Sequence, residues 1–72
     1  MELRGPATDV AAPNFSVAGV AVTTDSQTEY RDNNGASITA AAFFAAAPGR
    51  DVKVRGSLAG SVVLADRAEL ED

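Results

Sequence analysis

The stretch that most constrains the fold is the alternating segment from Asp51 to Leu58, which reads Asp-Val-Lys-Val-Arg-Gly-Ser-Leu. Its even-numbered positions are apolar or glycine, and its odd-numbered positions are polar. A repeat of two residues is typical of a β-strand that buries one face, so we predict a strand with Val52, Val54 and Leu58 directed inward. Gly56 leaves a gap in that inward row. Such a gap indicates a sharp bend or the close approach of another backbone, as at the corner of a small barrel.

The length and composition allow one small domain without the usual catalytic or metal chemistry. Seventy-two residues form a single domain, residues 1–72, expected to bury only about 60% of the surface that its unfolded chain exposes. The chain has no cysteine and no histidine, so the usual zinc, haem and copper sites and the commonest general base are missing. We therefore expect no metal, no cofactor and no catalytic residue.

The charge balance and the hydropathy pattern argue against two classes of partner. The formal net charge is -4, from 10 acidic and 6 basic residues, which opposes binding to phosphate backbones and anionic lipid. No signal-peptide core follows Met1, and no apolar run approaches the roughly 20 residues that span a bilayer. We expect a soluble domain with no nucleic-acid partner and no membrane span. It could equally be the mature part of an exported protein.

Three strands are predicted before the helix. The first, residues 2–10, is interrupted at Pro6. Because proline donates no ladder hydrogen bond, a strand that bends there can pair on both sides of a small barrel. The second and third strands alternate on either side of Ala18 and Gly19, which predicts a hairpin with a two-residue turn. The third strand then bends over the polar residues 24–27 before it resumes pairing.

A polar loop from Arg31 to Gly35 follows the third strand. Its Asp and Asn residues invite interpretation as a calcium loop, but the spacing of such a loop is absent and no Glu lies at its closing position. Asn and Asp tolerate left-handed backbone and hydrogen-bond to their own main chain. We therefore predict a turn rather than an ion site.

The only helical pattern covers residues 37–47. If Thr39 is the N-cap, Ile38 and Phe43 have the spacing of a hydrophobic staple. Alanines dominate the rest of the helix, and a Pro-Gly pair ends it. Phe43 and Phe44 together widen its apolar face, and we favour a core plug over an exposed stacking platform for both rings.

The last strand is predicted over residues 62–70, and its alternation assigns four residues to the inward face: Val62, Leu64, Ala68 and Leu70. Asp66 falls in the same row. Either a bulge re-aims its carboxylate, or the carboxylate lies at the barrel mouth beside Arg4 or Arg67. We favour a structural ion pair over a functional acid, because no second catalytic group is indicated.

The order of elements is therefore three strands, one helix and two strands. A helix inserted between the third and fourth of five strands is the topology of the OB-fold, a five-stranded Greek-key barrel. A simple antiparallel meander would not require that helix. We predict a mainly β protein with a small five-stranded OB-fold-like Greek-key barrel and one short helix between strands 3 and 4.

The sequence also carries a family resemblance. The runs concerned are Leu3 to Gly5, Phe15 to Thr23, Pro48 to Gly56, Val63 to Asp66, and Glu69-Leu70. Over nearly the whole chain these runs resemble the bacterial family called domain of unknown function 5666. The family tends to have Asn-Gly where this chain has Ala18-Gly19, and Gly-Asp-x-Val where this chain has Gly49-Arg50-Asp51-Val52. The resemblance implies an OB-like barrel in an exported, extracytoplasmic protein, periplasmic or secreted, and it brings no known catalytic residue.

Three functional classes are compared. A non-catalytic binding or structural module would use the outer face of the barrel around Lys53 and Arg55, or the loop that begins at Arg31. A binder of single-stranded nucleic acid needs exposed rings in a basic groove, whereas Tyr30 is the only aromatic residue readily placed near such a surface and the net charge has the wrong sign. An enzyme needs a nucleophile with a base, a carboxylate pair in a cleft or a phosphate loop, and none of these is indicated.

We therefore predict a non-catalytic binding or structural module of an exported bacterial protein, with single-stranded nucleic-acid binding as the alternative. The candidate binding surface consists of Tyr30, Arg31, Lys53 and Arg55. The expected partner is an unidentified protein or small ligand. We expect a monomer, or one of several tandem modules in a longer chain.

Overall fold

The structure, a computed structural model that describes residues 1–72, contains six strands and one helix. In chain order these are β1 (Glu2–Ala11), β2 (Asn14–Val17), β3 (Val20–Thr23), β4 (Glu29–Arg31), α1 (Ala40–Ala46), β5 (Asp51–Ala59) and β6 (Val62–Leu70). The sheet runs β3-β2-β1-β5-β6-β4, and parallel pairing of β3 with β6 closes it into a barrel. The predicted third strand is split into β3 and β4, which both pair in parallel with β6. The predicted five-stranded barrel with one short helix is confirmed.

The first strand exchanges partners at the predicted bend. β1 pairs with β5 from Glu2 to Pro6 and with β2 from Ala7 onward. Since Pro6 donates no hydrogen bond, it lies where one ladder ends and the other begins. The prediction that this strand serves both sides of the barrel is confirmed.

The hairpin between β2 and β3 turns at Ala18 and Gly19, as predicted. Their φ angles are 52° and 77°, and Val17 pairs with Val20 on either side of them. Two successive residues at positive φ match the twist of the flanking strands, although a β-carbon in that region costs Ala18 about 1 kcal/mol.

A bulge in β6 changes which residues of this strand face the core. Arg55 pairs with Arg67 and the next residue, Gly56, pairs with Ala65, so Asp66 is the extra residue. The predicted bulge near Asp66 is confirmed. Because the bulge reverses the alternation, the buried side chains are Val63 and Ala65 before it and Ala68 and Leu70 after it. The prediction that Val62 and Leu64 face inward is therefore wrong.

The prediction that Leu58 faces inward is also wrong. Leu58 is 56% exposed, although it continues the inward row of β5. β1 covers β5 only as far as Gly56, whose backbone exchanges hydrogen bonds with Met1. Beyond that point β5 pairs only with β6 and has one free edge, while β6 itself also pairs with β3. The side chain of Leu58 therefore extends past the end of the covered core.

The core is built around all four aromatic rings of the chain, Phe15, Tyr30, Phe43 and Phe44. Five pairs of these rings have centroids 5.3 to 6.0 Å apart at tilted or edge-on angles, which is the arrangement that aromatic quadrupoles favour. Phe43 is fully buried and Phe44 half-buried. The prediction that Phe43 plugs the core is confirmed.

The helix begins at the predicted cap but is shorter than predicted. The Thr39 hydroxyl accepts a hydrogen bond from the Ala42 N–H at 3.1 Å. Ser37 and Ile38 are not helical, because they lie along β4: Ile38 N–H donates to the Tyr30 carbonyl at 3.0 Å, and Ser37 bridges to Arg31. Pairing with the sheet satisfies this backbone in place of a first helical turn.

The loop after β4 is a turn stabilised by its own aspartate, as predicted. Oδ1 of Asp32 accepts hydrogen bonds from the N–H groups of Asn34, at 2.9 Å, and Ala36, at 3.0 Å. This is the local side-chain to main-chain bonding expected of Asp in a turn.

No helix of the structure has the length and apolar character needed to cross a membrane.

Candidate functional site

The outward side chains of four neighbouring strands, β1, β5, β6 and β4, form what we call the charged face. The strand register aligns them in two rows, Glu2-Arg55-Arg67-Glu29 and Arg4-Lys53-Glu69-Arg31. The face holds five of the six basic residues of the chain and five acidic ones, because Asp51 of β5 and Asp66 of β6 also point outward. It thus has no net charge of its own, in a protein whose net charge is -4.

Most charges on this face are paired with one another. Nζ of Lys53 lies 3.9 Å from a Glu2 carboxylate oxygen and 4.0 Å from one of Glu69. Glu29 lies 3.3 Å from a guanidinium nitrogen of Arg31 and 3.8 Å from one of Arg67. Because all these groups are partly exposed, each pair contributes at most about 1 kcal/mol to stability. Their shared effect is to hold the side chains in a fixed pattern.

Arg4 extends the network past the edge of the face. One of its guanidinium nitrogens lies 3.8 Å from a carboxylate oxygen of Glu71, which follows β6. The side chain of Arg4 is 64% exposed, so this pair is weak, and Arg4 is free to contact a ligand.

Arg55 is the basic residue of the face that has no acidic partner. No carboxylate oxygen lies within 4.0 Å of its guanidinium, and its cross-strand neighbour is another arginine, Arg67. Both line a small cleft of about 150 Å³ together with Glu29 and Asp66. Like charges directly opposite each other in a sheet are destabilising. The pair Arg55-Arg67 is therefore a point on this face where an added negative charge beside Arg55 would reduce the repulsion between like charges.

Asp66 does not form the ion pair that the sequence predicted. It is exposed and forms no ion pair, because the bulge turns it outward while Glu29 engages Arg67 and Glu71 engages Arg4. The predicted bulge at Asp66 is thus confirmed, and the prediction of a structural ion pair at Asp66 is wrong.

Three of the four predicted surface residues lie together, and one does not. Arg31, Lys53 and Arg55 all belong to the charged face. Tyr30 points the opposite way along β4, is 9% exposed and packs against Phe43, so its placement on the outer surface is wrong. The alternation of β4 itself, with charged residues on both sides of Tyr30, could have indicated this.

Arg4 and Arg67 also belong to the charged face, although the sequence did not indicate them as binding residues. Arg4 was predicted to face outward, but the register that aligns it with Lys53 depends on long-range pairing. Arg67 faces outward by its alternation with Ala68, but its position opposite Arg55 depends on the same long-range register.

The rest of the outer surface carries few charges, and we call it the neutral face. Its uncharged outward strand residues are Thr8, Asn14, Ser16, Ala21, Thr23, Ser57, Ala59, Val62 and Leu64. A broad cleft of about 610 Å³ lies over part of it, and Asp9 of β1 is the one charged residue in the cleft lining. Most ionic side chains of the strands therefore lie on the charged face.

The charged face presents hydrogen-bond donors whose geometry matches carboxylates. Arginines present planar pairs of donors that match a carboxylate, and these bonds are about twice as strong as neutral ones. No three acidic residues come together in an arrangement that could hold a metal ion. The arrangement therefore supports recognition through charge and hydrogen bonding.

Comparison with known proteins supplies the family of the chain and nothing more specific. No curated protein and no solved structure matches the sequence significantly. One family model, described as "Domain of unknown function (DUF5666)", matches residues 4–69 and so covers almost the whole barrel. The chain belongs to this domain-of-unknown-function family.

Proposed function

We propose that this barrel is a non-catalytic binding module of an exported bacterial protein, and that its charged face binds a carboxylate-bearing segment of a protein partner. The observation that carries the proposal is the pair formed by Arg55 and Arg67, two arginines directly opposite each other, of which Arg55 lacks an acidic neighbour. Natural sequences usually avoid like charges directly opposite each other in a sheet, and they depart from such preferences mainly at functional sites.

A carboxylate placed between these two guanidinium groups would remove their repulsion. Each group can donate two N–H bonds to it, and charge-assisted bonds of this kind are worth about 1.5 to 3 kcal/mol each. The fixed pattern of the flanking ion pairs, Lys53 with Glu69 and Arg67 with Glu29, adds specificity because a partner must match both signs of charge.

A protein partner is favoured over nucleic acid because the face has no stacking platform. Single-strand binding draws much of its affinity from bases stacked on exposed rings, and all four rings of this chain lie in or against the core cluster. Single-strand nucleic-acid binding is therefore kept as the second candidate and is one outcome of the test.

The assignment to an exported protein is supported by the resemblance alone, because members of this family often follow a signal or lipoprotein leader. It is tested by separating the cytoplasmic, membrane and extracytoplasmic fractions of the source bacterium and probing each with an antibody to this domain. Recovery of the domain only with cytoplasmic markers would contradict export and leave the binding proposal standing.

The binding proposal is tested with a labelled glutamate-glycine repeat peptide, a lysine-glycine repeat of equal length and a mixed-sequence oligonucleotide. We expect the acidic peptide to bind saturably and to shift the NMR signals of Arg55 and Arg67. Arg55→Glu should weaken that binding by about tenfold, equivalent to about 1.4 kcal/mol. Arg50→Glu makes the same charge change at the one basic residue outside the face and should leave the affinity within about twofold.

Equal losses in the two variants would mean that only net charge matters and would contradict a site at Arg55. Preference for the oligonucleotide over the acidic peptide would replace the proposal with the nucleic-acid alternative.

A further inference from the structure

An apolar cleft lies at the helix end of the barrel, away from the charged face. Its volume is about 390 Å³. Its apolar walls come from the turn between β1 and β2 and from α1, and they are Ala12, Pro13, Ala40, Ala41 and Phe44. Tyr30 also lines it, and we call it the Tyr30 cleft. A cleft of this size is at the small end of the range for sites that hold small molecules.

The wall around Tyr30 is held rigid by the aromatic cluster. The ring of Tyr30 lies 5.3 Å from that of Phe43 and 6.0 Å from that of Phe44, and Phe43 is fully buried. Main-chain pairing fixes both sides of the residue, because its carbonyl accepts from Ile38 and its Cα registers with Ala68 of β6. The cleft is therefore a preformed feature of the fold, which lowers the entropic cost of binding.

The hydroxyl of Tyr30 is a polar group next to the aromatic wall that the protein leaves without a partner. It makes no hydrogen bond within the protein. Among the fully buried side-chain nitrogen and oxygen atoms, only Nε of Arg31 lacks a hydrogen-bond partner. The unpaired hydroxyl of Tyr30 is therefore not fully buried and is in contact with solvent. A tyrosine that is 9% exposed and lines a cleft thus keeps its hydroxyl accessible. Buried tyrosines usually find a partner for this group.

Of the other polar side chains at the cleft, Thr24 and Asp25 have partners in the protein, whereas the hydroxyl of Ser26 has none. The Thr24 hydroxyl donates to the Pro13 carbonyl at 3.0 Å. Oδ1 of Asp25 accepts from the Gln27 N–H at 2.8 Å and lies 3.4 Å from the Thr28 hydroxyl. Their roles are local and structural, and the carboxylate of Asp25 disfavours an anionic ligand.

We infer that the Tyr30 cleft binds a small uncharged molecule with a single apolar ring and one hydrogen-bonding group, which pairs with the Tyr30 hydroxyl. The apolar walls accept the ring, and the hydroxyl orients it, as a few polar groups do in most small-molecule sites. The inference goes beyond the proposed function and does not depend on it, because Glu29 and Arg31, which flank Tyr30, point to the opposite side of β4.

The test compares benzyl alcohol with toluene, which share the ring but differ in the hydroxyl. Both are titrated into the full chain while NMR follows the backbone amides. Benzyl alcohol should shift the amides of Ala40 and Ala41 saturably and should bind several-fold more tightly than toluene, since one neutral hydrogen bond is worth about 0.5 to 1.5 kcal/mol. Tyr30→Phe should abolish that preference while toluene binding persists.

A second pair of variants tests the location. Ala41→Gln places a long side chain in the cleft wall and should abolish binding, whereas Ala45→Gln makes the same change at an exposed position of α1 outside the lining and should not. Equal affinities of the two probes in the parent protein, shifts centred away from α1, or the absence of saturable shifts would each overturn the inference.

Discussion

Gly56 and Leu64 approach each other so closely across the β5-β6 hairpin that no side chain fits at position 56. A β-carbon built on Gly56 would overlap the Leu64 carbonyl oxygen and lie 2.9 Å from its carbonyl carbon. The same atom would lie 3.0 Å from the Cα of Ala65. The contact occurs beside the extra residue of the bulge, Asp66. Glycine is thus required here by the approach of another backbone.

The first prediction is that Gly56→Val destabilises the barrel although valine is the better strand former. Backbone atoms cannot move aside as a flexible side chain can, so we expect a loss of roughly 3 kcal/mol in the free energy of unfolding, measured by urea denaturation. Ser57→Val is the matched control, because the neighbouring residue is exposed; its effect should be within about 0.5 kcal/mol. A Gly56→Val protein as stable as its parent would show that β5 and β6 are further apart than described.

The second prediction concerns Phe43, the fully buried ring at the centre of the aromatic cluster. Phe43→Ala should cost about 3 to 5 kcal/mol, a large part of the stability of a domain this small. Phe44→Ala should cost about half as much, because Phe44 is only half-buried. Urea melts of both variants measure this difference. Equal costs would mean that the helix is rotated so that the two rings are equally enclosed.

The third prediction separates the side chain of Asp66 from its place in the backbone. The carboxylate forms no ion pair, so Asp66→Ala should change stability by less than about 0.5 kcal/mol. Deletion of Asp66 leaves Ala65 opposite Gly56 and Arg67 opposite Arg55 in a regular ladder, so Ala68 and Leu70 still face inward. The deletion variant should therefore fold, but with a lower free energy of unfolding than Asp66→Ala, because the strand loses the bend and twist that the bulge supplies. The dispersion of NMR signals shows whether each variant folds, and urea denaturation measures its stability. A deletion variant as stable as the parent would show that the barrel closes equally well without the bulge.

The features that the sequence predicted correctly depend on local chemistry. The inward row of Val52 and Val54 follows from strict alternation, the cap at Thr39 from its hydroxyl, and the tight turn at Gly19 from the freedom of glycine at positive φ. Even the partner exchange of β1 was marked by Pro6, which lacks a donor. Each of these signals acts within a few residues.

The features that the sequence did not predict depend on contacts between distant residues. Val62 and Leu64 alternate as a buried row would, but a bulge further along β6 assigns them to the outer face. Leu58 continues a buried row past the point where β1 ends. The opposition of Arg55 and Arg67 follows from the same register. Register is set by how the whole barrel closes, so composition and spacing along the chain leave it open.

The last prediction is that the domain does not bind single-stranded DNA or RNA with useful affinity. Such binding combines counterion release by cationic side chains with stacking of about 1 to 3 kcal/mol per base. The buried cluster removes the stacking contribution, and five acidic residues lie among the five basic residues of the charged face. Labelled oligonucleotides of mixed sequence are titrated at low and at physiological salt while anisotropy is followed. We expect no saturation at physiological salt, because the face has no excess of positive charge and the attraction of single arginines is screened beyond about 8 Å. Saturable binding tighter than about 10 μM under that condition, lost in Arg55→Glu but retained in Arg50→Glu, would contradict the prediction and identify the charged face as a nucleic-acid site.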